Sequence, residues 1–404
     1  MTNPSLDVTG RGIVSSLGHS VEDFARATFE GRSAISTIET PGFSLRFGNG
    51  APIRDFEPAA HFDDRTISML DRFAQFATVA ARQAWAESGI GACDVDPTRI
   101  AVVIGTANSG IDILDVGFRR IFKTDSRIPP LTIPQTMGSA PASRIAREIG
   151  ARGPVFGVTS ACASAAHAML VGASMIRSGL VDVALVGGTD SCFSEGYLRA
   201  WDALRVVSGD TCRPFSIGRK GLIVGEGAAM LVLERAGRAA ARGARPVARL
   251  LGGGTSSDAG DLVAPDPKGM ELAIRSALDD AGIEASAIDY VNAHGTGTVA
   301  NDRAEAAAIR AVFGDREEQV PVSSTKSMVG HSMGASGAIE AIATIAAIEH
   351  GIVPPTLNYL GPDPDVGIDP TPDVARPARI DVALSNSFAF GGLNVSLVFG
   401  RAEG

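Results

Sequence analysis

Short unbroken apolar runs alternate along the chain with longer stretches in which small and apolar residues recur at helical spacing. Ile100–Ile104, Val155–Val158, Val183–Val186 and Met230–Leu233 are runs of the first kind; Ala248–Leu251, Tyr290–Ala293, Val320–Val322, Val382–Leu384 and Val395–Phe399 follow later. Apolar character that is continuous rather than alternating predicts strands buried on both faces. The segments Ala163–Ser178, Gly269–Ala281, Asn301–Phe313 and Ala335–Ile348 predict helices, and the interleaving places the chain in the α/β class. Asp182-Val183-Ala184-Leu185 leads into a glycine-rich turn, as does Asp381-Val382-Ala383-Leu384. Each half of the chain also carries one helix of Ala, Gly and Ser residues, suited to close packing at the centre of a layered structure. Two similar halves are therefore expected, 1–245 and 246–404, with a seam near Arg235–Arg245 and one shared core, since no Pro/Ser linker parts them. The Pro, Asp and Gly content of Leu360–Asp373 predicts an exposed loop.

With 45% hydrophobic and 20% charged residues, the 404-residue chain is globular, and its 47 glycines predict tight turns and close backbone approaches. A net charge of −9, with no run of five like charges, argues against nucleic acid or an anionic membrane as partner. Four cysteines lack metal-ligand spacing and form no disulfide framework, which fits a reducing compartment. Met1–Ser20 shows no export signal, and Ala335–Val353 is interrupted by Glu340, Glu349 and His350, so it predicts a buried helix rather than a membrane span. A cytoplasmic protein is expected. No dinucleotide or P-loop fingerprint is present, so no nucleotide or metal cofactor is expected.

Four segments could carry chemistry. In Gly157-Val158-Thr159-Ser160-Ala161-Cys162-Ala163-Ser164-Ala165 a strand passes through a polar turn into a helix that begins near the cysteine. A thiol there feels the positive end of the macrodipole, which favours thiolate and lowers its pKa. Cys93, Cys192 and Cys212 lack that setting and are expected to be small core residues. Val291-Asn292-Ala293-His294-Gly295-Thr296-Gly297-Thr298, followed by Asn301, Asp302 and Glu305, puts a histidine at a strand end, where α/β sheets present ligand-binding groups. His167, inside the helix after Cys162, is expected to be structural. Ser323-Ser324-Thr325-Lys326-Ser327-Met328-Val329-Gly330-His331 sets a lysine among apolar neighbours, which is unfavourable unless it is paired; Glu305 is the expected partner. Ser385-Asn386-Ser387-Phe388-Ala389-Phe390-Gly391-Gly392-Leu393-Asn394 ends a strand in a glycine-rich hinge bearing two phenylalanines, and glycines let such a loop move.

In this order the four motifs resemble those of the elongating β-ketoacyl-acyl carrier protein synthases of the thiolase superfamily, over almost the whole chain. The resemblance implies a thiolase-like fold of duplicated βαβαβαββ halves in five layers, α-β-α-β-α, usually as a homodimer. It implies that Cys162 takes an acyl chain from a phosphopantetheine thioester, and that His294 and His331 donate hydrogen bonds to the malonyl thioester carbonyl as carbon dioxide leaves. Two neutral imidazoles can polarise that oxygen, where a carboxylate would oppose the developing charge. Lys326, paired with Glu305, would hold the histidines. Backbone N–H groups of Cys162 and Phe390 would form the oxyanion hole. Thr296 and Thr298 would bind the pantetheine arm, Phe390 would gate the acyl pocket on the loop Ala389–Gly392, and Phe388 and Leu222 would also meet substrate.

The chain departs from the family pattern in several places. Ala389 and Leu393 replace a glycine and a threonine of the hinge, which predicts a stiffer loop. Arg213-Pro214-Phe215-Ser216 and Arg219-Lys220-Gly221-Leu222 lack two acids and an aromatic, which alters a pocket wall. Asn108 falls where the family places an apolar residue at the acyl tunnel. Facing that tunnel, an unpaired amide would penalise a long saturated chain by about 1–3 kcal/mol and favour a short, polar or unsaturated one; alternatively it caps a turn and never meets substrate. An acidic carrier protein calls for a basic face, for which Arg65, Arg127 and Arg205 are candidates, although Ser68 and Met69 stand where further basic residues are expected. The phosphopantetheine would arrive on the carrier.

Other activities fit less well. A thiolase needs a second, late cysteine, and none follows Cys212; initiating synthases carry asparagine in place of His331; a non-catalytic chain-length partner lacks the nucleophile; and the G-x-C-x-G elbow of a hydrolase is absent. Self-pairing and pairing with a chain-length partner, this chain being the active half, are both compatible with the sequence. So are fatty acid and polyketide or polyene synthesis.

Overall fold

The computed structural model describes residues 4–93, 95–314 and 320–402. In the first half, β1 (Leu6–Ser15), β2 (Ile100–Gly105), β3 (Val155–Val158), β4 (Val183–Asp190) and β5 (Gly227–Arg235) lie in the spatial order β1-β5-β4-β2-β3. In the second, β6 (Ala248–Ser257), β7 (Tyr290–Asn292), β8 (Val322–Ser323), β9 (Val382–Ala389) and β10 (Leu393–Arg401) lie in the order β6-β10-β9-β7-β8. Both halves thus follow first-fifth-fourth-second-third. The first two pairings of each are antiparallel and the last two parallel. β1 and β6 join the halves along Leu6–Val8.

α1 (Arg72–Ser88) and α2 (Ala140–Ile149) pack on one side of the first sheet, and α4 (Pro267–Ala281) and α5 (Val299–Phe313) cover the second. Between the sheets lie α3 (Ser164–Arg177) and α6 (Ser336–His350), each touching strands of both halves and the other. The layering is the expected α-β-α-β-α. Small residues make the central layer possible. A Cβ on Gly105 would stand 2.3 Å from the Ser164 carbonyl carbon, and one on Gly188 would stand 2.6 Å from Ala165 Cβ. The N-terminus of α3 therefore lies directly against the ends of β2 and β4, and this contact fixes the place of Cys162.

The observed strands extend past most of the apolar runs, and one strand has no run at all. β1 reads Leu6-Asp7-Val8-Thr9-Gly10-Arg11-Gly12-Ile13, interrupted by polar residues and glycines, yet it is buried throughout. Its polar groups are paired: Thr9 with Glu234, Arg11 with Glu87 and Glu349. Gly10 and Gly12 admit α1, whose Ala84 carbonyl oxygen lies 2.0 Å from where a Gly10 Cβ would be. α6 is buried along nearly its whole length, and among the described residues no helix is long and apolar enough to cross a membrane. Residues 360–373 form an irregular loop pinned by buried Val366.

Candidate active site

Cys162 sits in the single turn Ala161–Ala163 ahead of α3, and Ala161 takes the left-handed value φ 49°. Such a conformation in a non-glycine residue persists only when its surroundings impose it. Here the Ser164 hydroxyl donates to the Ala161 carbonyl at 2.6 Å and accepts from the Ser160 N–H at 2.9 Å. The backbone N–H groups of Phe390 and of Cys162 itself, the two groups expected in the oxyanion hole, act on the sulfur in the direction that favours thiolate. The expected fall in pKa is not found. Burial, with 7% of the residue exposed, pushes the thiol up to about 11 and outweighs both donors and the charge of Lys326. The sulfur therefore rests as a thiol, and its proton must leave as a thioester is attacked.

His294 follows β7 in a turn with Gly295 at φ 38° and Gly297 at φ 77°; a Cβ on Gly295 would meet Ser324 Cβ at 2.6 Å. His331 ends the segment after β8. The two rings meet edge to face, 5.3 Å between centroids. Burial and the positive charge of Lys326 hold both histidines well below the usual imidazole pKa, so both are neutral at pH 7. Their tautomers follow from their partners. Lys326 Nζ lies 3.2 Å from His294 Nδ1, and the Met333 N–H donates to His331 Nδ1 at 3.1 Å. With each Nδ1 accepting, each Nε2 carries the proton. His331 Nε2 is buried and has no hydrogen-bond partner among the described residues.

Lys326 is not paired with Glu305. Its ammonium forms an ion pair with Glu340, on the first turns of α6, and donates to the His294 carbonyl at 2.7 Å. Glu305 instead accepts from the backbone N–H groups of His294 and Gly295, both at 2.8 Å, and from the side-chain amides of Asn301 and Asn386. Two acids thus serve the histidine turn: Glu305 holds its backbone, and Glu340 holds the lysine that holds its ring. Glu340 went unrecognised in the sequence because it interrupts an apolar helix. A lone acid in such a helix, downstream of a lysine that needs a partner, was the available signal.

Cys162 Sγ and the nearest ring nitrogens of His294 and His331 lie within 4.8 Å of one another, at a cavity of about 240 Å3 also lined by Thr296, Thr298, Leu222, Phe388 and Phe390. The threonine hydroxyls are hydrogen-bonded at 2.9 Å. Phe390 stacks on Trp201, another lining residue the sequence did not suggest, at 6.3 Å. Asn108 does not line this cavity. Its backbone N–H donates to Asp190 at 3.1 Å and its amide lies 3.6 Å from Cys192 Sγ, so the unpaired amide facing substrate is not found here. Arg65, Arg127 and Arg205 are exposed; Arg205 does not line this cavity but follows the lining residue Leu204 in the chain and lines a neighbouring surface hollow with Arg46, Phe47 and Trp201. One thiol and two imidazoles are also a donor set that zinc accepts, but the Lys326 charge beside His294 opposes a dication.

Residues 5–239 match the family model "Beta-ketoacyl synthase, N-terminal domain", and residues 247–360 match "Beta-ketoacyl synthase, C-terminal domain". The chain belongs to the β-ketoacyl synthase family. Within it, the chain is 44% identical to Nodulation protein E of Rhizobium sp. (strain N33), over 97% of this chain and 98% of that one. It is 36% identical to 3-oxoacyl-[acyl-carrier-protein] synthase 2 of Coxiella burnetii (strain RSA 493 / Nine Mile phase I), over 98% of each. Its fold is similar to the solved structure of the ishigamide ketosynthase/chain length factor, with a TM-score of 0.94, 36% identity and 99% of each chain covered. The duplicated thiolase-like fold is thus that of a family of condensing acyltransferases.

Proposed function

We propose that this chain is an elongating β-ketoacyl-acyl carrier protein synthase that uses Cys162, His294 and His331 and needs no metal. The convergence of these three groups at one cavity, both imidazoles neutral and donating from Nε2, carries the proposal. Cys162 attacks an acyl thioester. The tetrahedral oxyanion is held by the Cys162 and Phe390 N–H groups, and the phosphopantetheine thiol leaves with the cysteine's proton. A malonyl thioester then enters past Thr296 and Thr298. Its carboxylate carbon–carbon bond breaks, carbon dioxide leaves, and the electron pair becomes an enolate whose oxygen takes hydrogen bonds from both Nε2–H groups. The enolate carbon attacks the acyl-Cys162 carbonyl, and the carbon–sulfur bond breaks to release the β-ketoacyl product; its electron pair returns to Cys162 as a thiolate, which takes one proton from solvent to regenerate the thiol. Exposed Arg205, with Arg65 and Arg127, would meet an acidic carrier protein. We place the protein in the cytoplasm and pair it with a second copy of itself through the apolar face around Phe122.

Cys162→Ala should abolish acyl-enzyme formation, read by mass spectrometry, and leave some carbon dioxide release from a malonyl thioester. His294→Ala and His331→Ala should each depress that release at least tenfold more than acyl loading. Loading that survives in Cys162→Ala, or equal losses in both steps for the histidine variants, would overturn the assignment.

A further inference from the structure

The duplication copies more than the sheets. The turn Ala161–Ala163 before α3 has a counterpart, Met333–Ala335, before α6. Ser160-Ala161-Cys162-Ala163-Ser164 aligns with Ser332-Met333-Gly334-Ala335-Ser336, and Ala161 and Met333 share φ 49°. Gly334 is therefore the counterpart of Cys162. β4 and β9 are both eight residues long and begin with the same Val-Ala-Leu, so Asp190 is the counterpart of Ala389, the residue before Phe390. The fold thus repeats the turn, and the Gly334 N–H stands where the Cys162 N–H stands in the first copy. In the first copy, N–H groups face the reacting sulfur.

In the second copy the anion is part of the chain. The Asp190 carboxylate, wholly buried, accepts from the Gly334 N–H at 2.6 Å, the Ala107 N–H at 2.9 Å, the Asn108 N–H at 3.1 Å and the Thr106 hydroxyl at 2.8 Å. Three donors come from the loop after β2, in the first half. The fourth comes from the turn that holds His331, since Met333 N–H fixes the His331 tautomer and the Ser336 hydroxyl bonds the same Nδ1 at 2.9 Å.

We propose that Asp190 is a positioning residue: a built-in anion that fills the second copy of the oxyanion-binding turn and thereby fixes His331, across the seam between the halves, for the decarboxylation step. The proposal rests on the assignment of His331 above. Four converging donors favour the charged carboxylate and oppose the burial that pushes its pKa up to about 6, so it stays ionised at pH 7. In Asp190→Asn a pair of N–H donors would face donors, and the Gly334 turn would shift with the histidine.

Asp190→Asn should retain acyl loading within threefold of wild type and lose at least tenfold in kcat for malonyl decarboxylation, with the acyl-thioester KM little changed. With 15N-histidine labelling, where six histidines give a countable spectrum, the His331 ring resonances should move from the Nε2–H tautomer pattern. Equal losses in both steps, or unmoved His331 resonances in a folded variant, would overturn the proposal. Thr106→Val supplies a second test if Asp190→Asn does not fold. Thr106 bonds Asp190, Ser109 and Ser164, so a shift of the His331 resonances in this variant supports the clamp and an unchanged spectrum overturns it. A wild-type protein that neither loads nor decarboxylates would instead remove the proposed function, while the histidine spectra would still decide whether Asp190 sets the His331 ring.

Discussion

Lys326 and Glu340 are charged groups with 1% and 2% of their side chains exposed, and each depends on the other. Removing one partner of such a pair typically costs about 3–5 kcal/mol, because the remaining charge stays buried and unpaired. Lys326→Met should therefore be strongly destabilising, and adding Glu340→Gln should recover part of the loss. Urea unfolding of the four proteins of this cycle should give a coupling of about 1–3 kcal/mol. The same cycle with Glu305→Gln should give a clearly smaller coupling, since Glu305 spends its oxygens on backbone N–H groups; a larger one would restore the pairing expected from sequence. The need for a partner was legible from one buried lysine in an apolar motif. Its identity was not, because helix α6 carries Glu340 to the lysine by tertiary packing, and no local pattern encodes that approach. The cysteine pKa failed for a related reason: the helix N-terminus is visible in sequence, whereas the desolvation that overrides it is a property of the packed core.

At the scale of elements, the hinge after β9 is tied to the segment that follows β6. The Asp258 N–H donates to the Gly392 carbonyl at 2.9 Å, the Gly391 N–H to the Leu262 carbonyl at 2.8 Å, and the Asn394 amide to the Asp258 carboxylate at 2.6 Å. Asp258 also accepts the Asp266 N–H at 3.0 Å, closing its own loop. Residues 261–265 and Phe390 both line the cavity, so the two loops must open together for a substrate arm to enter. Asp258→Ala removes two of these four bonds and leaves the cavity floor intact. Alkylation of Cys162 by iodoacetamide should accelerate severalfold in this variant while condensation slows; an unchanged alkylation rate would mean that the loops move independently. The Gly391-Gly392 pair announced a mobile hinge in the sequence. Its partner did not show, since residues 258–265 look like any polar turn until the antiparallel pairing of β6 with β10 sets them beside it.

For the whole molecule, a four-letter echo and two small-residue helices were enough to expect duplicated halves, and identical strand order shows why: the echo marks the fourth strand of each sheet. Strand β1 escaped because its buried apolar residues, Leu6, Val8, Ile13 and Val14, are separated by paired polar groups and by glycines in close contact with α1, so they form no continuous run. What the single chain leaves open is an edge. Among the described residues β3 pairs with β2 alone, which leaves its other edge as a template for another strand. The helix Ile111–Thr124 and the segment after it expose Val116, Phe118, Phe122, Leu131, Ile133 and Met137, with Phe122 at 82%. Exposed apolar side chains gathered on one helix and the segment after it suit an interface, and two copies related by a two-fold axis would cover them with the same surface. Sedimentation of the purified chain should show a dimer, and Phe118→Glu combined with Phe122→Glu should yield monomers, because two carboxylates would then be buried without partners. A wild-type chain that stays monomeric alone and pairs when co-expressed with a family member lacking the cysteine would replace self-pairing with a heterodimer.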